Sequence, residues 1–137
     1  MSRSLVRLRI DFSPGRALGP GKVDLLEAVA RRGSLTAAAR DCGMSYKRAW
    51  TLLQDANELF GTPLVAMNKG GSGGGGSASV TAKGNEVIAA FRAAERKATA
   101  AAAQAFAALQ PSPARIARRG AVKRLSRAAA PRRPAAR

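Results

Sequence analysis

The sequence predicts a mainly α-helical fold with a small β wing: a winged helix-turn-helix followed by a long C-terminal linker or dimerisation helix. Three observations lead there. Gly33 and Gly43 bracket a short segment of helical character, and a longer amphipathic segment follows at once. Two helices joined by a tight, glycine-containing turn make a helix-turn-helix. Two strand-like stretches then flank a glycine-rich run, and an alanine-rich stretch of helical periodicity comes after them. The expected division is 1–82 as the winged helix-turn-helix, 83–110 as the long helix and 111–137 as a disordered basic tail.

At the N-terminus, Leu5 to Ile10 alternates apolar residues with Arg7 and Arg9, the period of a half-exposed strand. Ser13-Pro14-Gly15 marks a turn and Gly19-Pro20-Gly21 a second break. From Lys22 to Arg32 the apolar residues Val23, Leu25, Leu26, Val29 and Ala30 recur at helical spacing, and Gly33 stops the helix. Ser34 is placed to cap the next helix, whose buried side is Leu35, Ala38 and Ala39. Ser45 opens a third helix with Ala49, Leu53, Ala56 and Phe60 in one stripe.

After Gly61-Thr62-Pro63 come candidate strands Leu64–Asn68 and Ala78–Thr81, joined by the run Gly70–Ser77. That run has the look of an engineered linker, but its flanks complete a wing rather than separating two domains. Thr81 caps a helix from about Lys83 to Leu109. Its residues Val87, Phe91, Ala94, Ala98, Ala101, Ala105 and Ala108 step by four and three, a seam suited to helix pairing. Its small residues would allow close approach of backbones, so homodimerisation through 83–110 is expected, although alanine is so frequent there that it fits almost any template. Pro111 and Pro113 end the helix, and the Ala/Arg/Pro remainder cannot bury enough apolar surface to order itself.

Composition narrows the function. The chain has 137 residues, one cysteine (Cys42) and no histidine. A disulfide or zinc framework is therefore excluded, and the commonest general base is missing, so neither an enzyme nor a cofactor is expected. The net charge is +16, and the last 27 residues carry nine Lys/Arg and no acid. Nucleic acid is the usual partner of such a balance, with an anionic membrane as the rival. No apolar run approaches the length of a membrane span, and Met1 to Ile10 lacks a signal-peptide core, so a cytoplasmic, nucleoid-associated protein is expected.

The side of the third helix opposite its apolar stripe presents Ser45, Tyr46, Lys47, Arg48, Trp50, Thr51 and Gln54. A helix entering a DNA groove needs donors and flat apolar surfaces, not acids, and no acid falls between Asp41 and Asp55. Lys47 or Arg48 suits guanine O6/N7, Gln54 suits adenine, and Thr51 or an aromatic edge suits a thymine methyl. Tyr46 and Trp50, four apart, share a face. Trp50 admits two readings, a packing residue of the core or a contact at the DNA surface. Ser34 and Thr36 at the start of the second helix suit a phosphate, and Ser34 is equally a simple cap.

In the wing, Lys69 and Ser72 belong to a loop whose glycines would let backbone N–H groups approach a phosphate. A nucleotide phosphate loop requires Gly-Lys-Ser/Thr after its glycines, and Gly76-Ser77-Ala78 fails that test. The tail residues Arg115, Arg118, Arg119, Lys123, Arg124, Arg127, Arg132 and Arg133 suit non-specific phosphate contact. Ile116, Val122 and Leu125 give the tail a weak amphipathic pattern, the one feature that favours a membrane surface.

Three stretches together, Gly19-Pro20-Gly21-Lys22, Gly33-Ser34-Leu35-Thr36-Ala37-Ala38-Ala39-Arg40 and Gly43-Met44-Ser45-Tyr46-Lys47-Arg48-Ala49-Trp50, resemble the N-terminal domain of ModE-type molybdate-responsive regulators. The likeness continues through Pro63-Leu64-Val65, the glycine-rich wing and Val80-Thr81-Ala82-Lys83-Gly84, and covers about 5–97. It implies a LysR-type winged helix-turn-helix, dimeric through the long helices, acting on promoters of molybdenum-related genes. By position it implies Ser45, Tyr46, Lys47, Arg48 and Trp50 in the groove and the wing around Lys69–Gly76 at the backbone. Members that sense molybdate carry a separate C-terminal oxyanion-binding module, and the 27 residues after the long helix are too few for one. Molybdate binding is therefore not carried over: either a separate oxyanion-sensing partner supplies the signal, or the regulator is constitutive. Two functions follow: a dimeric, sequence-specific regulator of transcription on double-stranded DNA, or a weakly selective architectural binder driven by the tail.

Overall fold

The N-terminal hairpin pairs β1 (Ile10–Ser13) with β2 (Arg16–Leu18) antiparallel, Ile10 opposite Leu18 and Asp11 opposite Ala17, with a bulge between Asp11 and Ser13. The strand expected over Leu5–Ile10 is thus displaced toward the C-terminus. A strand needs a partner along its hydrogen-bonding edge, and the turn at Pro14-Gly15 offers β2 only from Ile10 onward. The computed structural model describes residues 6–68 and 76–109. The expectations for Lys69, Ser72 and the 111–137 tail lie outside the described residues.

Helix α1 (Pro20–Arg32) starts two residues earlier than its apolar spacing suggests, because Pro20 occupies the first helical turn, where a missing N–H costs nothing. It is the central helix, touching α2 (Leu35–Asp41), α3 (Tyr46–Phe60), α4 (Ala82–Ala105) and β4 (Ser77–Val80). That company buries Ala28 along with Val23, Leu25, Leu26 and Val29. Ala30, expected on the buried side, is exposed: it lies in the last turn, where no neighbouring element covers that face.

Ser34 caps α2, its hydroxyl accepting from the Ala37 N–H at 3.3 Å, and Ser45 caps α3 by accepting from the Arg48 N–H at 3.1 Å. Between them Gly43, at φ +68°, makes the tight reversal, and the Gly43 and Met44 N–H groups return to Arg40 and Ala39 carbonyls. This is the left-handed backbone that a side chain disfavours. The stripe expected on α3 faces inward, with Ala49, Leu53 and Ala56 buried and Phe60 half-buried.

Strand β3 (Val65–Asn68) pairs antiparallel with β4 from Val65 opposite Val80 to Asn68 opposite Ser77. The Ala78 N–H donates to the Gly33 carbonyl at 2.9 Å, which ties the wing to the junction of α1 and α2. At the base of the wing, the Asn57 side chain of α3 accepts from the Leu64 N–H at 2.9 Å. The Thr81 hydroxyl donates to the Pro63 carbonyl at 2.8 Å and accepts from the Gly84 N–H at 3.0 Å, capping α4. The winged helix-turn-helix expected from the sequence is the fold observed.

Helix α4 buries Gly84, Val87 and Phe91, and Arg92 joins it to α1 through Asp24 (2.5 Å) and Glu27, with Glu95 at 2.8 Å on its own helix. The Glu27 hydrogen bond, offset in part by burial, holds the Arg92 guanidinium above its ordinary pKa. The α-helix stops at Ala105, short of the expected Leu109. The described residues after it form a 3-10 turn over Ala107–Leu109.

Candidate nucleic-acid interface

The helix α3 is amphipathic in the sense that matters for DNA. Its inner face is apolar and fully covered, Ala49 at 0% and Leu53 at 2% exposure, while Tyr46 and Trp50 on the outer face are 49% and 47% exposed. Ser45, Lys47, Arg48 and Thr51 are exposed beside them, and Gln54 is half-buried. Trp50 is therefore not a packing residue of the core, because the interior it would have filled is occupied by Ala49, Leu53 and Ala56. Among the described residues neither the hairpin nor the wing covers Tyr46, Lys47 or Arg48, and all three are exposed.

The caps do more than end helices. Each cap oxygen accepts from a backbone N–H, which leaves the hydroxyl hydrogens of Ser34 and Ser45 available to donate to a partner. Thr36, in the first turn of α2, is exposed. Thr51 is different: its hydroxyl donates to the Lys47 carbonyl at 3.0 Å. Its donor is used within the helix, which leaves its methyl group and its acceptor lone pairs available. Losing the Ser45 cap should matter locally. Ser45→Ala is expected to lower stability by about 1 kcal/mol, read from the midpoint of urea unfolding.

The electrostatics match this geometry. Asp41 is engaged with Arg32 at 3.6 Å, and the next acids, Asp55 and Glu58, lie in the C-terminal half of α3. The first turns of α3 thus carry Lys47 and Arg48 with no carboxylate of their own element nearby. Burial pushes the Cys42 thiol up, with Asp24 adding to the shift. Among the described residues no cluster of Cys, Asp and Glu suits a metal ion, and no helix is long and apolar enough to cross a membrane.

Two wing residues escaped the sequence reading. Asn68 and Ser77 are exposed at the two ends of the glycine-rich connection, and the Asn68 amide donates to the Ser77 hydroxyl at 3.4 Å. The alternation of Ser77-Ala78-Ser79-Val80, with Ala78 buried and both serines exposed, is the signal that would have found Ser77. Met67, 44% exposed on β3, gives the wing an apolar edge.

Comparison with known proteins bears on the same segment. Residues 21–85 match the family described as bacterial regulatory helix-turn-helix protein, lysR family. The chain is similar to the molybdenum-pterin-binding protein MopB of Rhodobacter capsulatus, 46% identical over 81 residues, which is 59% of this chain and 30% of that protein. It is also similar to the molybdenum transport protein ModE of Azotobacter vinelandii, 39% identical over 94 residues, 69% of this chain and 34% of the relative. The DNA-binding transcriptional dual regulator ModE of Escherichia coli (strain K12) is 41% identical over 69 residues, half of this chain and 26% of the relative. The chain thus spans about a third or less of the length of these relatives.

Proposed function

Residues 21–85 are a helix-turn-helix domain of the lysR family of bacterial regulators, and on that premise we propose that the chain is a sequence-specific, DNA-binding regulator of transcription. One observation carries the reading: the outer face of α3 from Ser45 to Thr51 is uncovered, basic and free of acids, with Tyr46 and Trp50 exposed among its donors. In this role α3 lies in the major groove, Ser34 and Thr36 hold a phosphate beside it, and the wing, with Lys69 and Ser72 in its loop, follows the backbone. Three named relatives carry molybdenum or transcriptional regulation in their names, which supports promoters of molybdenum-related genes as the targets. The relatives lend no support to the architectural alternative.

The regulator acts as a homodimer through the long helix, in the cytoplasm on the nucleoid. Support for pairing comes from α4 itself: Ala94 and Ala98 are half-buried and Ala101 is exposed, so the seam beyond Phe91 has small residues still open to a second helix. Two copies would present their α3 helices to half-sites about 34–36 Å apart, or a multiple of that. The test is selection of bound fragments from random duplex DNA by the full chain, with and without molybdate. An inverted-repeat motif unaffected by molybdate is the expected result, and uniform recovery with no motif would sink the reading.

Arg48→Ala is expected to cost about 1–3 kcal/mol on the selected duplex and to relax preference at one base position. Fluorescence anisotropy on a set of single-base variants of that duplex measures it. Equal weakening on every variant would make Arg48 a phosphate contact instead.

A further inference from the structure

The end of α3 furthest from Ser45 has a support that α3 does not itself encode. A helix C-terminus carries partial negative charge and unsatisfied carbonyls, which a cation in the last turn relieves. The last turn of α3 contains no basic residue, and Asp55 and Glu58 add negative charge near it. Gly61 returns its N–H to the Glu58 carbonyl at 3.3 Å. The cation comes from the N-terminal hairpin. The Arg16 guanidinium donates to the Glu58 and Leu59 carbonyls, each at 3.1 Å, across 42 and 43 residues of sequence. Beside it Phe12 of β1 meets Phe60, the last residue of α3, edge to face with ring centroids 6.1 Å apart. Both hairpin residues lie outside the 21–85 segment that matches the lysR family.

We propose that Arg16 is a positioning residue for DNA recognition: from the N-terminal hairpin it holds the last turn of α3 and so sets the angle at which Tyr46–Gln54 meet the groove. The inference rests on the DNA-binding reading above. Its leverage is geometric. α3 has 15 residues and is therefore about 22 Å long, so a tilt of about 10° at Phe60 moves Tyr46 by about 4 Å. Hydrogen bonds to base edges tolerate only about 0.5 Å of spread, so such a tilt would lose base readout. Phosphate contacts, made by long flexible side chains around the periphery, would adapt. Arg16 thus affects preference without touching DNA, and it bonds to the opposite end of α3 from the residues that do.

The experiment compares full-length wild-type, Arg16→Ala and Arg16→Lys chains on the selected duplex and on a scrambled duplex of equal length, over a range of salt. Arg16→Ala is expected to bind the selected duplex about ten-fold more weakly, with the scrambled duplex nearly unaffected and the slope against log salt unchanged. Arg16→Lys restores most of the loss, since an ammonium can reach the same carbonyls. Loss on both duplexes with a slope smaller by about one would make Arg16 a phosphate contact and overturn the proposal. So would an Arg16→Ala chain indifferent in every measure, or a loss that lysine does not repair. A wild-type chain with no preferred duplex at all would overturn the DNA-recognition reading itself, a distinct failure.

Discussion

Phe91→Ala is expected to destabilise the protein by about 3–5 kcal/mol, a large part of the roughly 5–15 kcal/mol that holds a small domain together. Phe91 is 2% exposed and is the largest of the fully buried side chains. It sits in one cluster with Leu18 of the hairpin, Leu25 and Leu26 of α1, Leu53 of α3 and Leu64 before the wing. Removing the ring leaves a cavity in that shared core, and close-packed helices relax only in part. Urea unfolding followed by far-ultraviolet circular dichroism is the measurement. A change below about 1 kcal/mol would mean that α4 is not an integral part of the fold. The ion pairs of Arg92 with Asp24 and Glu27 would survive the substitution, but they are partly exposed and give far less than the ring.

Gly84→Ala is expected to cost about 3 kcal/mol, although alanine is the better helix former. A Cβ at Gly84 would stand 2.6 Å from Val80 Cγ1 and inside contact distance of the Leu64 carbonyl oxygen. The valine could shift. The carbonyl cannot, because Leu64 accepts from the Thr81 N–H at 2.9 Å and its own N–H is held by Asn57. The first turn of α4 would be pushed off the base of the wing. Binding should fall with it, because the wing and α3 share that base through Asn57. Thermal unfolding reads the first effect and anisotropy on the selected duplex the second. An unchanged melting temperature would show that the close approach at Gly84 relaxes freely.

Glycine at 84 also shows where sequence reading stops. Within Val80-Thr81-Ala82-Lys83-Gly84 a helix start is legible from Thr81, and its cap bond is present. The glycine reads there only as a weak helix former. That it marks a contact depends on Leu64, twenty residues away in another element. Arg16 is a similar case: in the sequence it is one more charge in a basic chain, and in the fold it serves the end of α3. Ala30 was misplaced for a related reason, since periodicity says which residues share a face and not how far a neighbour extends along it.

The helix-turn-helix itself needed nothing but the chain. Ser34, Gly43 and Ser45 act within three or four residues of themselves, and the stripe of Ala49, Leu53 and Ala56 follows from helical geometry, so local spacing carried both the fold and its outer face. Tertiary structure decided what local spacing cannot encode. It decided which strand β1 would find as partner, that Trp50 stays outside because the interior is already full, and that Arg92 and Arg16 each close a gap of more than forty residues. Periods and caps are short-range and are written in neighbouring letters, whereas packing and long-range hydrogen bonds depend on where distant segments meet.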